Sequence, residues 1–354
     1  MVFNGGFGRL VVGIWPTLVT AARKLDAMST KQQTVGARMQ NKTESTFKYF
    51  DILTAVDAYK NGKNVTETLR LQKGLDINTS EIIEIAYDLQ AGTYIELANG
   101  NAELELNYSS ELSGIIQSYM TSNDTLLDVG TGEITTLSSV ARQLKTKPLH
   151  IYAFDISWSR LFKGIGYANE HMGDYINRFT PFVADMIEIP LLDKSINITI
   201  SCHALEPNGG RLLQLLSELF RITRDTLLLF EPCYELNTDE GKKRMDSLGY
   251  IKGMDEAVNK LGGKLIDRIP IKNVVNPLTP TTCFVVKPPL SDPHREPFNA
   301  YHSDVFSVPG SNHALKKIDN FYFSNETGLC FPIIKDIPIL KPSAAILASA
   351  LSEA

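Results

Sequence analysis

Asp128, Gly130, Gly132 and Asp155 are the residues of this chain whose types and spacing speak most directly of chemistry. The apolar run Leu126–Val129 reads as a short buried strand ending in the turn Gly130-Thr-Gly132. Helix-period residues follow at Leu137, Val140, Ala141 and Leu144. A second strand, Ile151–Phe154, delivers Asp155 at its carboxyl end. A strand, a glycine turn, a helix, a strand and an acid make the unit with which an open α/β sheet holds an adenosine-containing cofactor. The glycines let the backbone approach the ligand and take φ > 0, and the acid accepts both ribose hydroxyls. Dinucleotide folds place a third glycine under the pyrophosphate. Here that position is Ile134, with Glu133 at the helix mouth. A carboxylate there repels a pyrophosphate, whereas a ligand carrying an ammonium group tolerates Asp128 and Glu133. Taken singly, a glycine pair is also an ordinary turn and Asp155 also a helix N-cap. In this order, at strand ends, they read together as a site.

Asp128-Val-Gly130-Thr-Gly132 resembles the first motif of class I S-adenosylmethionine-dependent methyltransferases (methyltransferase type 11-like), without its last glycine. By the same resemblance Asp155 matches the ribose-binding acid. The stretch Phe182-Val-Ala-Asp185-Met186, followed by Ile189-Pro190, is similar to the third motif, where an Asp meets the adenine amino group and the next residue packs on the ring. The resemblance covers about residues 80–287. It implies S-adenosyl-L-methionine as cofactor, held by Asp128, Gly130, Gly132, Asp155, Asp185 and Met186. The implied fold is a Rossmann-like α/β sheet, mostly parallel with a final antiparallel hairpin. S-adenosylmethionine has an ammonium, a sulfonium and no phosphate, which agrees with the charge argument. A nicotinamide dehydrogenase is the competing enzyme reading, weakened by Glu133 and Ile134.

Ligands of such sheets sit beyond the carboxyl ends of the strands. Two polar loops are expected there. The first, after a fourth strand Ile196–Ser201, carries His203, Glu206 and Asn208. The second, after a fifth strand Thr226–Phe230, carries Glu231, Tyr234 and Glu235, with Arg244 further on. His203 has a side chain whose ordinary pKa suits a general base, and Glu206 is placed to orient it. His203 and Glu206 are therefore the catalytic candidates, and Asn208, Tyr234, Glu235 and Arg244 the substrate-binding ones. The same residues also serve as hydrogen-bonded structural groups or helix caps in many proteins. Together they point to a polar, hydroxyl-bearing small-molecule acceptor, a sugar-derived molecule being one such.

These loops need a scaffold, and 354 residues suffice for a large α/β domain with additions. Residues 1–45 read as a leader, disordered or mis-started ahead of Met28. Residues 46–120 read as a helical cap, with stripes at Phe47, Phe50, Leu53 and Val56, at Ile82, Ile85, Ala86 and Leu89, and at Leu112, Ile115, Ile116 and Tyr119. Tyr87, Gln90 and Tyr94 are expected to close over the methionine moiety. Residues 121–287 form the cofactor-binding domain, ending in the pair Gly263–Ile269 and Thr281–Val286. Residues 288–354 break in composition, from the turn-rich Asp292–Pro297 to Phe331-Pro332-Ile-Ile-Lys-Asp336-Ile-Pro338-Ile-Leu340. That last stretch resembles the signature of the small tRNA-methyltransferase activator family, with Asp336 at its usual glycine and no cysteine pairs. It implies a fused β-module; a purely structural β-tail is the alternative.

A net charge of −5 without a basic patch argues against nucleic-acid backbone binding. The apolar run Leu10–Ala22 is too short to span a bilayer. Cys202, Cys233, Cys283 and Cys330 lack Cys-x-x-Cys spacing, so no metal is expected, and they read as reduced thiols of a cytoplasmic protein. The oligomeric state is left open. A non-catalytic cofactor-binding or assembly subunit, working through the tail, is the reading from another functional class.

Overall fold

The computed structural model describes residues 52–273, 276–289 and 305–353. The proposed leader and the turn-rich Asp292–Pro297 lie outside the described residues, as do Phe47 and Phe50. The chain divides into two compact units, one ending at Asp76 and one beginning at Ile77. In the first, helix α1 (Ile52–Lys60) precedes α2 (Val65–Lys73). The Asn64 side chain caps α2 by accepting from the Glu67 N–H, and Gly74 closes it at φ 65°.

The second unit opens with α3 (Ser80–Asp88), α4 (Thr93–Gly100) and α5 (Ala102–Tyr119). The Thr79 side chain caps α3 by accepting from the Ile82 N–H. An alternating series follows: β1 (Thr125–Val129), α6 (Thr135–Gln143), β2 (His150–Asp155), α7 (Trp158–His171), β3 (Phe179–Val183), β4 (Ile196–Cys202), α8 (Leu212–Ile222) and β5 (Thr223–Pro232). Helices α9 (Asp239–Leu248) and α10 (Met254–Lys260) lead to β6 (Lys264–Pro270) and β7 (Thr281–Lys287). The strands form a seven-stranded sheet in the order β3-β2-β1-β4-β5-β7-β6. Strands β1 to β5 run parallel, while β7 is antiparallel to both β5 and β6. This is the Rossmann-like sheet, mostly parallel with a final antiparallel hairpin, expected from the sequence.

Apolar side chains alternate across that sheet with the two-residue period of a strand. Leu127, Val129, Leu227 and Leu229 enter one buried cluster with α8 and α10; Leu126, Ile198, Ile200, Leu228 and Phe230 enter another with α5, α6 and α7. Both faces are covered, so the central strands are buried along nearly their whole length, and β4 carries Asn197, Thr199 and Ser201 inside between its isoleucines.

The C-terminal residues belong to the same unit as the sheet. Strands β8 (Lys316–Ile318), β9 (Phe321–Phe323), β10 (Leu329–Ile334) and β11 (Ile337–Pro338) pair antiparallel in the order β11-β10-β9-β8, and β12 (Ile346–Leu347) pairs with β10. Phe306 packs edge-on against Phe182 and Tyr152, which carries the tail's core into the first cluster. Beyond β11, Ile339 bridges Val183 in parallel, and the Leu340 N–H donates to the Val183 carbonyl at 2.9 Å. The last residue of β3 is thereby paired on the strand's outer edge. Among the described residues no helix is long and apolar enough to cross a membrane.

Candidate cofactor and acceptor site

At the end of β1 the chain turns sharply, with Gly130 at φ 68° and Gly132 at φ 59°. The Gly132 N–H donates to Asp155 Oδ2 at 2.9 Å, and the Ser157 N–H to Oδ1 at 2.9 Å. The β1 turn and the tip of β2 are thus joined through one carboxylate. Asp128 is buried beside them. Burial raises its pKa to about 7, and the charge of Asp155 adds to the effect. The backbone surprise is Ile134, which stands at φ 60°, a left-handed conformation that glycine adopts freely and a β-branched residue rarely. Its side chain is fully buried. That burial is worth about 1.5–3 kcal/mol. The left-handed backbone costs about 1–2 kcal/mol. The buried side chain therefore offsets the strain, and the turn keeps a glycine's shape without the glycine.

A cavity opens over these strand ends. Its walls include Gly130, Gly132, Asp128 and Asp155, then Asp185 and Met186 beyond β3, and His203, Glu206 and Asn208 beyond β4. The six residues proposed to hold the cofactor and both catalytic candidates line one space. Tyr87 and Tyr94, from the end of α3 and the start of α4, also line it; Gln90 does not.

The loop after β4 is built around Glu231, which is fully buried at the end of β5. Its Oε1 accepts from the Ser201 hydroxyl and from the Ala204 and Leu205 N–H groups, and its Oε2 from the Glu206 N–H. Burial pushes this carboxyl up to about 7. His203 sits at φ 55°, with Nδ1 2.9 Å from Glu206 Oε2 and Nε2 2.7 Å from Thr281 Oγ1. Burial pulls its pKa down, but the charge and hydrogen bond of Glu206, with Glu231 behind, leave it above the ordinary histidine value. The loop thus presents an imidazole that holds its proton firmly.

Other expected residues lie elsewhere. Asn208 lines the cavity, but its amide is spent on the loop's own Ala204 and Leu205 carbonyls. Tyr234 and Glu235 border a separate shallow depression. The Tyr234 hydroxyl donates to Asp246 at 3.3 Å, and Glu235 Oε1 accepts from the Gly253 N–H at 2.7 Å. Arg244 is on helix α9 and does not line the cavity. The structure therefore brings the first polar loop to the site and turns the second away from it.

Glu133 lines the cavity, and its carboxylate is engaged within the protein. Glu133 is buried, and its two oxygens accept the Gly92 and Ile95 N–H groups at 2.9 Å each. It holds the start of α4, an anion at a helix N-terminus. Asp88, at the end of α3, accepts from the Ser157 and Ser159 hydroxyls and the Ser159 N–H. From the sequence alone, Glu231 and Asp88 carry no such roles. Glu231 had a readable signal: an acid closing the run Leu227–Phe230 is a carboxylate headed for the interior.

No protein-family model matches the chain, and no curated protein matches it. Solved structures do resemble it in part. A geranyl diphosphate C-methyltransferase from Streptomyces coelicolor A3(2) is 12% identical, with 50% of this chain and 73% of that one covered at a TM-score of 0.39. An S-adenosylmethionine-dependent methyltransferase from Aquifex aeolicus is 16% identical, covering 52% and 92% at 0.39. A complex between a methyltransferase activator and a putative methyltransferase of Haloferax volcanii is 14% identical, covering 57% and 96% at 0.44.

Proposed function

We propose that this protein is an S-adenosylmethionine-dependent methyltransferase acting on a polar, hydroxyl-bearing small molecule. The observation that carries this reading is one cavity containing Asp128, Gly130, Gly132, Asp155, Asp185 and Met186 beside the His203–Glu206 pair. The donor set fits the cofactor: a carboxylate at the tip of β2 for ribose hydroxyls, a second beyond β3 for an adenine amino group, and a thioether for the ring face. When bound, S-adenosylmethionine supplies an electrophilic methyl group. The protein's work is then to align the acceptor, exclude water and move a proton. Tyr87 and Tyr94 serve the exclusion of water. His203 serves the proton, held by Glu206 on Nδ1 while Nε2 and Thr281 share the other side.

The tail acts in this reading as a fused β-module resembling the methyltransferase activators, seated on the edge of β3. Its pairing through Val183, two residues before Asp185, supports a part in shaping the adenine wall. All four cysteines are free thiols, in keeping with a cytoplasmic protein.

Calorimetry with S-adenosylhomocysteine and with NAD tests the reading. Micromolar binding of the first and none of the second is expected. Asp155→Ala is expected to weaken the nucleoside by at least about 10-fold, the scale of lost hydrogen bonds to a charged group. NAD binding, or an unaltered affinity in Asp155→Ala, would count against it.

A further inference from the structure

Leu340 pins the tail to β3 through its N–H on the Val183 carbonyl. The next side chain, Lys341, turns inward and crosses to α3, where Nζ donates to Glu84 Oε1 at 2.6 Å. The partners are 257 positions apart in the chain, and their side chains are 10% and 13% exposed. A lysine is almost never buried so far unless it is paired, since its stem ordinarily carries the ammonium out to water. Ordering so flexible a side chain costs entropy that an exposed ion pair seldom offsets. Out of water the same pair is short, directional and hard to replace one partner at a time.

Both ends of this contact adjoin the cavity. Glu84 stands on α3 between Ile83 and Tyr87, which line it, and Ser80 lines it one turn earlier. Val183 runs directly into Ala184, Asp185 and Met186, which form another stretch of the wall. Lys341 itself does not line the cavity. The two ends of α3 are tied to the core by other groups. Arg211 Nη2 donates to the Ser80 hydroxyl at 3.0 Å, and Asp88 accepts from the Ser157 and Ser159 hydroxyls. Glu84 is at the middle of the helix, and there the tail supplies the tie.

We infer that Lys341 is a positioning residue for the cavity. Through Glu84 it sets the middle of α3, and with it Ile83 and Tyr87, against the end of β3. The tail thus keeps two parts of one wall in register without touching what the cavity holds, and this does not depend on which ligand that is. By linkage, a ligand that settles against both parts also settles the tail.

Hydrogen exchange read by mass spectrometry tests this in the full chain, Lys341→Met, Lys341→Arg and Glu84→Gln, each with and without S-adenosylhomocysteine. Without ligand, Lys341→Met is expected to quicken exchange over residues 80–88 by about 10-fold or more, with β1 and β2 unchanged. Lys341→Arg, which keeps the charge, is expected to restore most of the protection. Glu84→Gln removes the charge from the other side and should quicken the same residues, so it decides the matter if Lys341→Met does not fold. With S-adenosylhomocysteine, the wild-type protein is expected to slow exchange over residues 337–347, and Lys341→Met to lose that slowing while still binding the nucleoside. Unchanged exchange over residues 80–88 in both charge-removing variants would overturn the inference. So would a uniform quickening of the whole sheet, or a ligand effect on the tail that survives Lys341→Met. A wild-type protein that does not bind S-adenosylhomocysteine counts against the cofactor reading alone, and the ligand-free comparison then decides the role of Lys341.

Discussion

His203 illustrates how far a residue's role depends on its neighbours. Its type alone marks it as a base, but its neighbours make it a better-held acid. Glu206 favours the charged imidazolium and outweighs the desolvation that opposes it, so the folded pKa stands above 6.5. The neutral form, the one able to take a proton, therefore dominates only at higher pH than for an ordinary histidine. Methyl transfer to a hydroxyl is expected to rise toward the alkaline side. Following the His203 ring by NMR titration gives the direct measurement. Its midpoint should lie above 6.5 in the wild-type protein, and Glu206→Gln should move it down, since the cation loses its adjacent charge. A midpoint that stays put in that variant would remove Glu206 as the orienting group. The dyad was legible in the sequence because three residues separate its members. Thr281 on Nε2 was not, being 78 residues away.

At the scale of elements, helix α7 is the hub. Its N-terminus receives Asp88 from α3, its second turn offers Lys163 Nζ to the Ala91 carbonyl at 2.6 Å, and between them stands Arg160. Gly164 lets α7 lie directly against the β1 turn, since a Cβ there would meet the Glu133 carbonyl carbon at 2.7 Å. The segment from α3 to α4 is thus latched to the sheet by polar contacts and carries Tyr87 and Tyr94 with it. Asp88→Ala removes an acceptor of three hydrogen bonds. At about 0.5–1.5 kcal/mol each, chemical denaturation should show a loss of about 2–4 kcal/mol. Hydrogen exchange across residues 80–100 should quicken at the same time. Unaltered exchange in that segment would mean the latch lies elsewhere. The helical stripe of α3 was visible as a period in the sequence. The latch was not, because Asp88 and Ser157 become neighbours only when α3 is laid across the start of α7.

At the scale of the whole molecule, the tail belongs to the core of the unit that holds the sheet. Phe306, Leu315, Phe331 and Leu340 are each at most 3% exposed and join the cluster that contains Val129, Phe154 and Phe182. Four such side chains at about 1.5–3 kcal/mol each amount to about 6–12 kcal/mol. That equals most of the 5–15 kcal/mol that typically holds a domain together. Deleting residues 305–353 is therefore expected to yield aggregated protein, with the edge of β3 and an aromatic face laid open. A soluble truncation with an unchanged Tm would show instead that the tail is an appendage. The tail's β character was an expectation from the resemblance of its Phe331–Leu340 stretch. Its seat on β3 was not, because strand edges carry no mark in sequence of what will pair with them.

Local pattern determined much of this protein. The strand, turn and acid sequence around Asp128 and Asp155 follows from apolar runs and glycines, and so does the existence of the strands that build the sheet. Those are short-range consequences of side-chain period and backbone freedom, and they survive any rearrangement of distant parts. Tertiary structure alone decided where charge is spent. It made Glu133 the anchor of α4, set Glu231 beneath the His203 loop, carried Tyr234 and Arg244 away from the cavity, and left Arg160 Nε buried without a hydrogen-bond partner. The reason is physical: a buried charge must find its partners wherever the fold supplies them, and those partners lie tens of residues away along the chain.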